Sequence, residues 1–203
     1  MTGVQTCALP ISVDVALGRL TDGLKARGRT ANLVVVADHG MAALSAERML
    51  YIDDLLPKDA YRALAAGAFM TLYPAKGREA EVIAALDGPH PHLQCWPKAK
   101  IPARFHYGDN PRVAPILCLP DTGWRLGTRD YKPARFERGT HGYDNFSPEM
   151  AAVFVASGPA FQRGVVVPHF DNVDVYPLLA RLIGVKPARN DGDLSELKAA
   201  LAR

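Results

Sequence analysis

The chain has 203 residues, 48% of them hydrophobic and 22% charged, enough apolar material for one domain with a substantial core. Its 24 Lys and Arg against 21 Asp and Glu give a formal charge of +3 with no long block of one sign, which excludes the electrostatic footprint of a nucleic-acid or anionic-membrane binder. No run of 18 apolar residues occurs, so no membrane-spanning helix is expected; Cys7, Cys95 and Cys118 show neither metal-knuckle spacing nor a disulfide framework, which leaves the compartment undecided.

Residues 1–11 carry no charge and lack the basic start and apolar core of a signal peptide. They resemble the translation of a sequencing-library adapter, so the segment is expected to be an appended tail, Cys7 included, with the native domain running over 12–203. Val13, Ala16, Leu17, Leu20 and Leu24 then recur at helical spacing, with Asp14, Arg19, Asp22 and Lys25 off that face. This predicts an amphipathic helix with Ser12 as N-cap and Gly28 as C-cap.

The helix feeds 33–37, whose four leading residues are apolar and include three valines. Such a run predicts a short strand buried on both faces, as in the middle of a parallel sheet. It stops at Asp38-His39, and Gly40 then allows a sharp turn. Ligands of open α/β sheets bind beyond the carboxyl ends of the strands. An acid and an imidazole delivered there form half of a metal site, a hard oxygen beside a borderline nitrogen, as Zn²⁺ accepts. The same pair also suits an Asp that starts a turn and a His that packs.

A second strand is expected over 49–52, closed by Asp53-Asp54 and Pro57. From about 61 to 126, short apolar segments (68–73, 93–96, 116–119) alternate with Pro and Gly, with one helix over 78–86 among them. This predicts a small α+β insertion on the main sheet. A basic, irregular loop over 127–139 leads to Thr140-His141-Gly142-Tyr143-Asp144-Asn145. The 150–156 segment is apolar on both faces and is assigned to the sheet centre. Helices over 173–183, ended by Gly184 and Pro187, and over 194–201 complete the chain. The pattern is α/β: helices on a mostly parallel sheet.

His141 lies in a loop between Gly139 and Gly142, which permit a close backbone approach to a ligand. Together with Asp38-His39-Gly40-Met41, this segment resembles the nucleotide pyrophosphatase/phosphodiesterase family of the alkaline phosphatase superfamily. The resemblance continues through His106-Tyr107 with Asn110 and Arg112, Gly123-Trp124, and Asn172-Val173-Asp174-Val175-Tyr176-Pro177. It implies the C-terminal portion of an alkaline-phosphatase-like fold and a hydrolase acting on a small phosphodiester or nucleotide. It also implies two Zn²⁺ ions in the full-length parent, with Asp38 and His39 on one and His141 on the other. The Thr or Ser nucleophile and the other ligands of such enzymes have no counterpart here, so the chain is expected to be an inactive fragment. The family also suggests a periplasmic or secreted parent whose signal peptide is lost.

The remaining candidates carry weaker expectations. His106 is expected to be structural or pocket-lining, and His90, His92 and His169 to lie in solvated turns. Trp96 and Trp124 are expected in the core, and Glu47, Asp53 and Asp54 as exposed charges. Two other readings remain open: a related phosphomonoesterase, phosphonate hydrolase or sulfatase-like enzyme, and a non-catalytic binding module. A dinucleotide-binding oxidoreductase is disfavoured, since no G-x-G-x-x-G follows the 33–37 run.

Overall fold

The structure is a computed structural model that describes residues 4–130 and 137–202. Its elements in chain order are α1 (Val4–Ala26), β1 (Leu33–Val36), β2 (Ala42–Ala43), β3 (Met49–Tyr51), β4 (Tyr61–Ala63), β5 (Met70–Pro74), α2 (Glu79–Leu86), β6 (Leu93–Pro97), β7 (Ile116–Pro120), β8 (Arg125–Gly127), β9 (Gly139–Thr140), β10 (Phe154–Ser157) and α3 (Val175–Leu182). The chain forms two compact units, residues 1–36 with 154–203, and residues 37–153.

In the first unit, α1 begins at Val4 rather than after Ser12, because residues 4–9 hold no Gly or Pro and the helix continues through Pro10 with one backbone bond lost. Its end is as expected: Gly28 N–H donates to Lys25 O and Arg29 N–H to Leu24 O, the paired bonds of a glycine-closed helix. β1 pairs with β10, Val36 opposite Phe154, and this pairing is antiparallel. Asn32 Oδ1 accepts the Ala160 N–H at 2.9 Å. The unit's core gathers Val34, Phe154 and Ala156 from the strands with Phe161, Leu178 and Leu197.

Three expectations are corrected here. The 150–156 strand begins only at Phe154, after a 3₁₀ turn over Pro148–Met150. The expected 194–201 helix is reduced to a 3₁₀ turn over Lys198–Ala200, because the flanking backbone bonds elsewhere: Gln162 N–H donates to Ala200 O and Ala202 N–H to Ala160 O. The 173–183 helix starts at Val175, preceded by a turn over Asn172–Asp174.

In the second unit, β4, β5, β7 and β6 form an antiparallel sheet in that order. α2 lays Val82 and Leu86 onto a core of Ile52, Leu56, Met70, Leu72, Ile116 and Leu126. Cys95 and Cys118 stand opposite each other on β6 and β7 and are joined by a disulfide. The cysteine spacing gave no sign of this bond, since two cysteines 23 residues apart carry no motif; strand register, not spacing, brings them together. Residues 131–136 of the 127–139 loop lie outside the described residues.

The expected predominance of parallel pairing is also corrected. Among the described strands only β3 and β8 pair in parallel, Leu50 opposite Leu126. The expected burial of 33–37 and 150–156 on both faces is corrected as well, since Val36, Val153 and Val155 are exposed; direction, for its part, follows from where the chain returns. Ala37 N–H donates to Val153 O, so the segments leaving β1 and entering β10 are paired, and β10 must run back along β1.

Candidate metal centre

Asp38, His39 and His141 all belong to the second unit. Two short ladders hold them. Gly40 N–H donates to Met150 O at 2.9 Å, fixing the turn just after His39. β2 then pairs with β9, Ala42 opposite Thr140 and Ala43 opposite Gly139, and Leu44 N–H extends the pairing to Arg138 O. The pairing therefore delivers His141, the residue after β9, beside His39. The two imidazoles stack with centroids 3.7 Å apart and planes 15° from parallel.

Gly40 is required by close approach. A Cβ there would stand 2.0 Å from Glu149 O and 2.7 Å from Ala151 O. Gly142, at φ +99°, turns the chain out of β9 while resting on Phe69 and Ala68. Tyr143 is then buried and its hydroxyl donates to Trp124 O at 2.7 Å. Burial raises the Tyr143 pKa, which keeps the hydroxyl protonated as a donor. Thr122 and Ser147 share a hydroxyl–hydroxyl bond of 2.6 Å that secures the far end of the loop.

The donor chemistry can be followed atom by atom. His39 Nδ1 lies 2.9 Å from Gly40 O, a carbonyl that only accepts, so Nδ1 carries the proton. In the neutral ring, Nε2 then presents its lone pair, and Asp38 Oδ2 stands 3.4 Å away. Two donors at about 2.0–2.1 Å from one tetrahedral zinc are separated by about the same distance. The donor types therefore fit zinc. Their number does not complete a site: among the described residues no group of three or more His, Cys, Asp or Glu side chains converges as a metal ligand set, whereas a catalytic zinc takes three protein ligands.

The other candidates are placed differently. His106 sits at φ +46° at the end of a 3₁₀ turn over Ala103–Phe105. His92 is no simple solvated turn residue: it stacks on Trp124 at 3.9 Å and its Nδ1 lies 2.8 Å from Asp121 Oδ2. His90 Nε2 is buried without a hydrogen-bond partner. Asp53 accepts the Tyr61 hydroxyl at 3.0 Å, and Asp54 pairs with Arg129. Sequence reasoning passed over Arg104, whose guanidinium forks onto both oxygens of Asp144 at 2.7 and 2.6 Å. An isolated Arg in a polar stretch carries no signal that its partner stands forty residues on.

Comparison with known proteins bears on this arrangement. The profile of the type I phosphodiesterase/nucleotide pyrophosphatase family matches residues 11–144. Human ectonucleotide pyrophosphatase/phosphodiesterase family member 5 is 35% identical over 182 residues, covering 89% of this chain and 38% of its own. The bis(5'-adenosyl)-triphosphatase ENPP4 of Bos taurus is 32% identical over 191 residues, covering 93% of this chain and 41% of its own. The chain thus spans about two-fifths of the length of the curated relatives it matches. Among solved structures, human ectonucleotide pyrophosphatase/phosphodiesterase 5 superposes with a TM-score of 0.87 at 32% identity, over 95% of this chain and 51% of that one. An inactive variant of the murine protein, in complex with AMP, gives 0.86 at 34% identity, over 94% of this chain and 51% of that one. The described elements are thus a portion of an alkaline-phosphatase-like α/β fold. With the match running through both Asp38-His39 and His141, the chain belongs to the type I phosphodiesterase/nucleotide pyrophosphatase family.

Proposed function

We propose that this chain is the C-terminal part of a zinc-dependent phosphodiesterase that hydrolyses phosphodiester or phosphoanhydride bonds of nucleotides. The observation that carries the reading is the convergence of Asp38 Oδ2 with His39 Nε2 at 3.4 Å, and of the His39 and His141 rings, stacked with centroids 3.7 Å apart, in a member of this family. Asp38 and His39 would hold one ion and His141 the other. Bound there, zinc supplies Lewis-acid neutralisation of phosphoryl charge and lowers the pKa of the attacking hydroxyl. The chain's own residues orient the donors: Gly40 O fixes the His39 tautomer, and β2–β9 holds His141 against it.

The nucleophile, a Thr or Ser, and the remaining ligands would come from an upstream segment, with residues 1–11 standing in its place as an adapter-derived tail. A nucleotide substrate is supported by relatives described as bis(5'-adenosyl)-triphosphatase and by the murine complex with AMP. The Cys95–Cys118 disulfide supports an oxidising compartment, periplasmic or extracellular. No described helix is long and apolar enough to cross a membrane.

Turnover of a nitrophenyl phosphodiester with added Zn²⁺ tests this reading, comparing the 203-residue chain with a longer polypeptide that restores the upstream segment. The expected result is activity in the longer polypeptide alone, lost on Asp38→Ala and on His141→Ala. Zinc-dependent turnover by the 203-residue chain, abolished by His141→Ala, would overturn the missing nucleophile.

A further inference from the structure

A line of contacts runs from the four-stranded sheet of the second unit to the loop that carries His141. Trp96, on β6 opposite Leu117, meets Phe105 edge to face at 5.8 Å. The Arg104 guanidinium lies 4.0 Å over the Phe105 ring and 5.4 Å from the Phe146 ring. From there it forks onto Asp144 with both terminal nitrogens, the geometry that most narrowly fixes a carboxylate's orientation. Asp144 Oδ1 also accepts the Phe146 N–H at 3.0 Å, so the carboxylate orders the backbone after it.

On the upstream side His141 is held by the β2–β9 ladder. On its downstream side stands Gly142, at φ +99° and close against Phe69. Tyr143 anchors into the core beneath, and Asp144 is the next point at which the loop is gripped. We propose that Arg104 is a positioning residue: through Asp144, it sets the orientation of His141 against His39, coupling the 61–126 sheet to the candidate metal centre. The functional consequence rests on the metal role proposed for His141, whereas the positioning itself does not.

The hydrogen-bond chemistry favours Arg at this place. Lys would keep the charge and lose the fork and the stack on Phe105. Arg104 stays partly in solvent, with its guanidinium 4.0 Å over the Phe105 ring and in reach of Asp144.

The test uses the metal-free 203-residue chain first, by NMR, reading the nuclear Overhauser contact between the His39 and His141 rings, and then titrates Zn²⁺ into it. Arg104→Ala and Asp144→Asn are expected to weaken or abolish that contact, and Arg104→Lys to restore it in part. Arg78→Ala, which removes an exposed Arg bound to Asp59 and Glu81, serves as the control and should leave it intact. Where zinc binds, affinity should fall in Arg104→Ala and stay unchanged in Arg78→Ala. An undiminished His39–His141 contact in both Arg104→Ala and Asp144→Asn overturns the proposal. So does an equal loss in Arg78→Ala, which would mark a general loosening. A wild-type chain that takes up no zinc, with the ring contact still lost in Arg104→Ala, would overturn the metal reading and leave the positioning role standing.

Discussion

At the scale of single residues, the centre was legible in part. Asp38 and His39 could be singled out because ligand-type side chains end an apolar run just before a glycine, and His141 because it lies in a loop between two glycines; Gly40 does lie where no Cβ fits. Gly40→Ala is accordingly expected to cost about 1–3 kcal/mol, since backbone oxygens on both sides must move. Chemical denaturation would measure it, and an unchanged midpoint would mean the Asp38–Gly40 turn is held differently. The Arg104–Asp144 pair was invisible because its two halves are joined only by the fold. Its consequence can be read against pH. The bond from Arg104 holds the Asp144 carboxyl below its ordinary value of 3.8. A depressed carboxyl stabilises the folded chain above its unfolded pKa, and that contribution is lost as pH falls through the folded one. The stability gap between wild type and Asp144→Asn should therefore be full at pH 5 and close as pH drops below about 4. A gap that stayed constant down to pH 2 would locate the stabilisation elsewhere.

At the scale of elements, the apolar segments 68–73, 93–96 and 116–119 match β5, β6 and β7 within a few residues, since apolar runs and their Pro and Gly boundaries are local signals, whereas the short β4 and β8 gave none. What such signals missed was pairing. Four apolar residues in β1 mark a strand but not which way its neighbour runs, nor that Val36 stays exposed, and Cys95 faces Cys118 only because β6 and β7 are in register. That crosslink closes a loop of 23 residues, which chain-entropy reasoning equates to about 3 kcal/mol. Reduction should lower the melting temperature by roughly 6–12 °C for a chain of this size. A Cys95→Ala/Cys118→Ala variant that melts with the oxidised wild type would deny the bond any structural role. The first helix invites the opposite expectation. Pro10 and Ile11 are exposed, and if residues 1–11 are an appended tail their deletion should shift stability by less than about 1 kcal/mol.

At the scale of the whole molecule, apolar exposure is unevenly shared. Most of the large exposed hydrophobic side chains lie in the first unit: Ile11 and Val13 on α1, Val36 and Val155 on the paired strands, Leu179 and Ile183 at α3. Isolated exposed apolar residues need no explanation, but here they fall on both strands of a two-stranded pair and on helices beside it in sequence. β1 and β10 have only each other as partners among the described strands, so each leaves one edge of backbone donors and acceptors unpaired. In the longer relatives a polypeptide more than twice this length makes up the protein, and under the fragment reading the missing strands would cover these faces. A net charge of +3 offers little repulsion against association. The 203-residue chain is therefore expected to bind a hydrophobic dye such as ANS and to self-associate at micromolar concentration. A longer polypeptide with the upstream segment should do neither. Sedimentation velocity on both would decide the matter: a monodisperse, dye-free monomer of the short chain would show that its strands are already satisfied, and the fragment reading would lose its structural support.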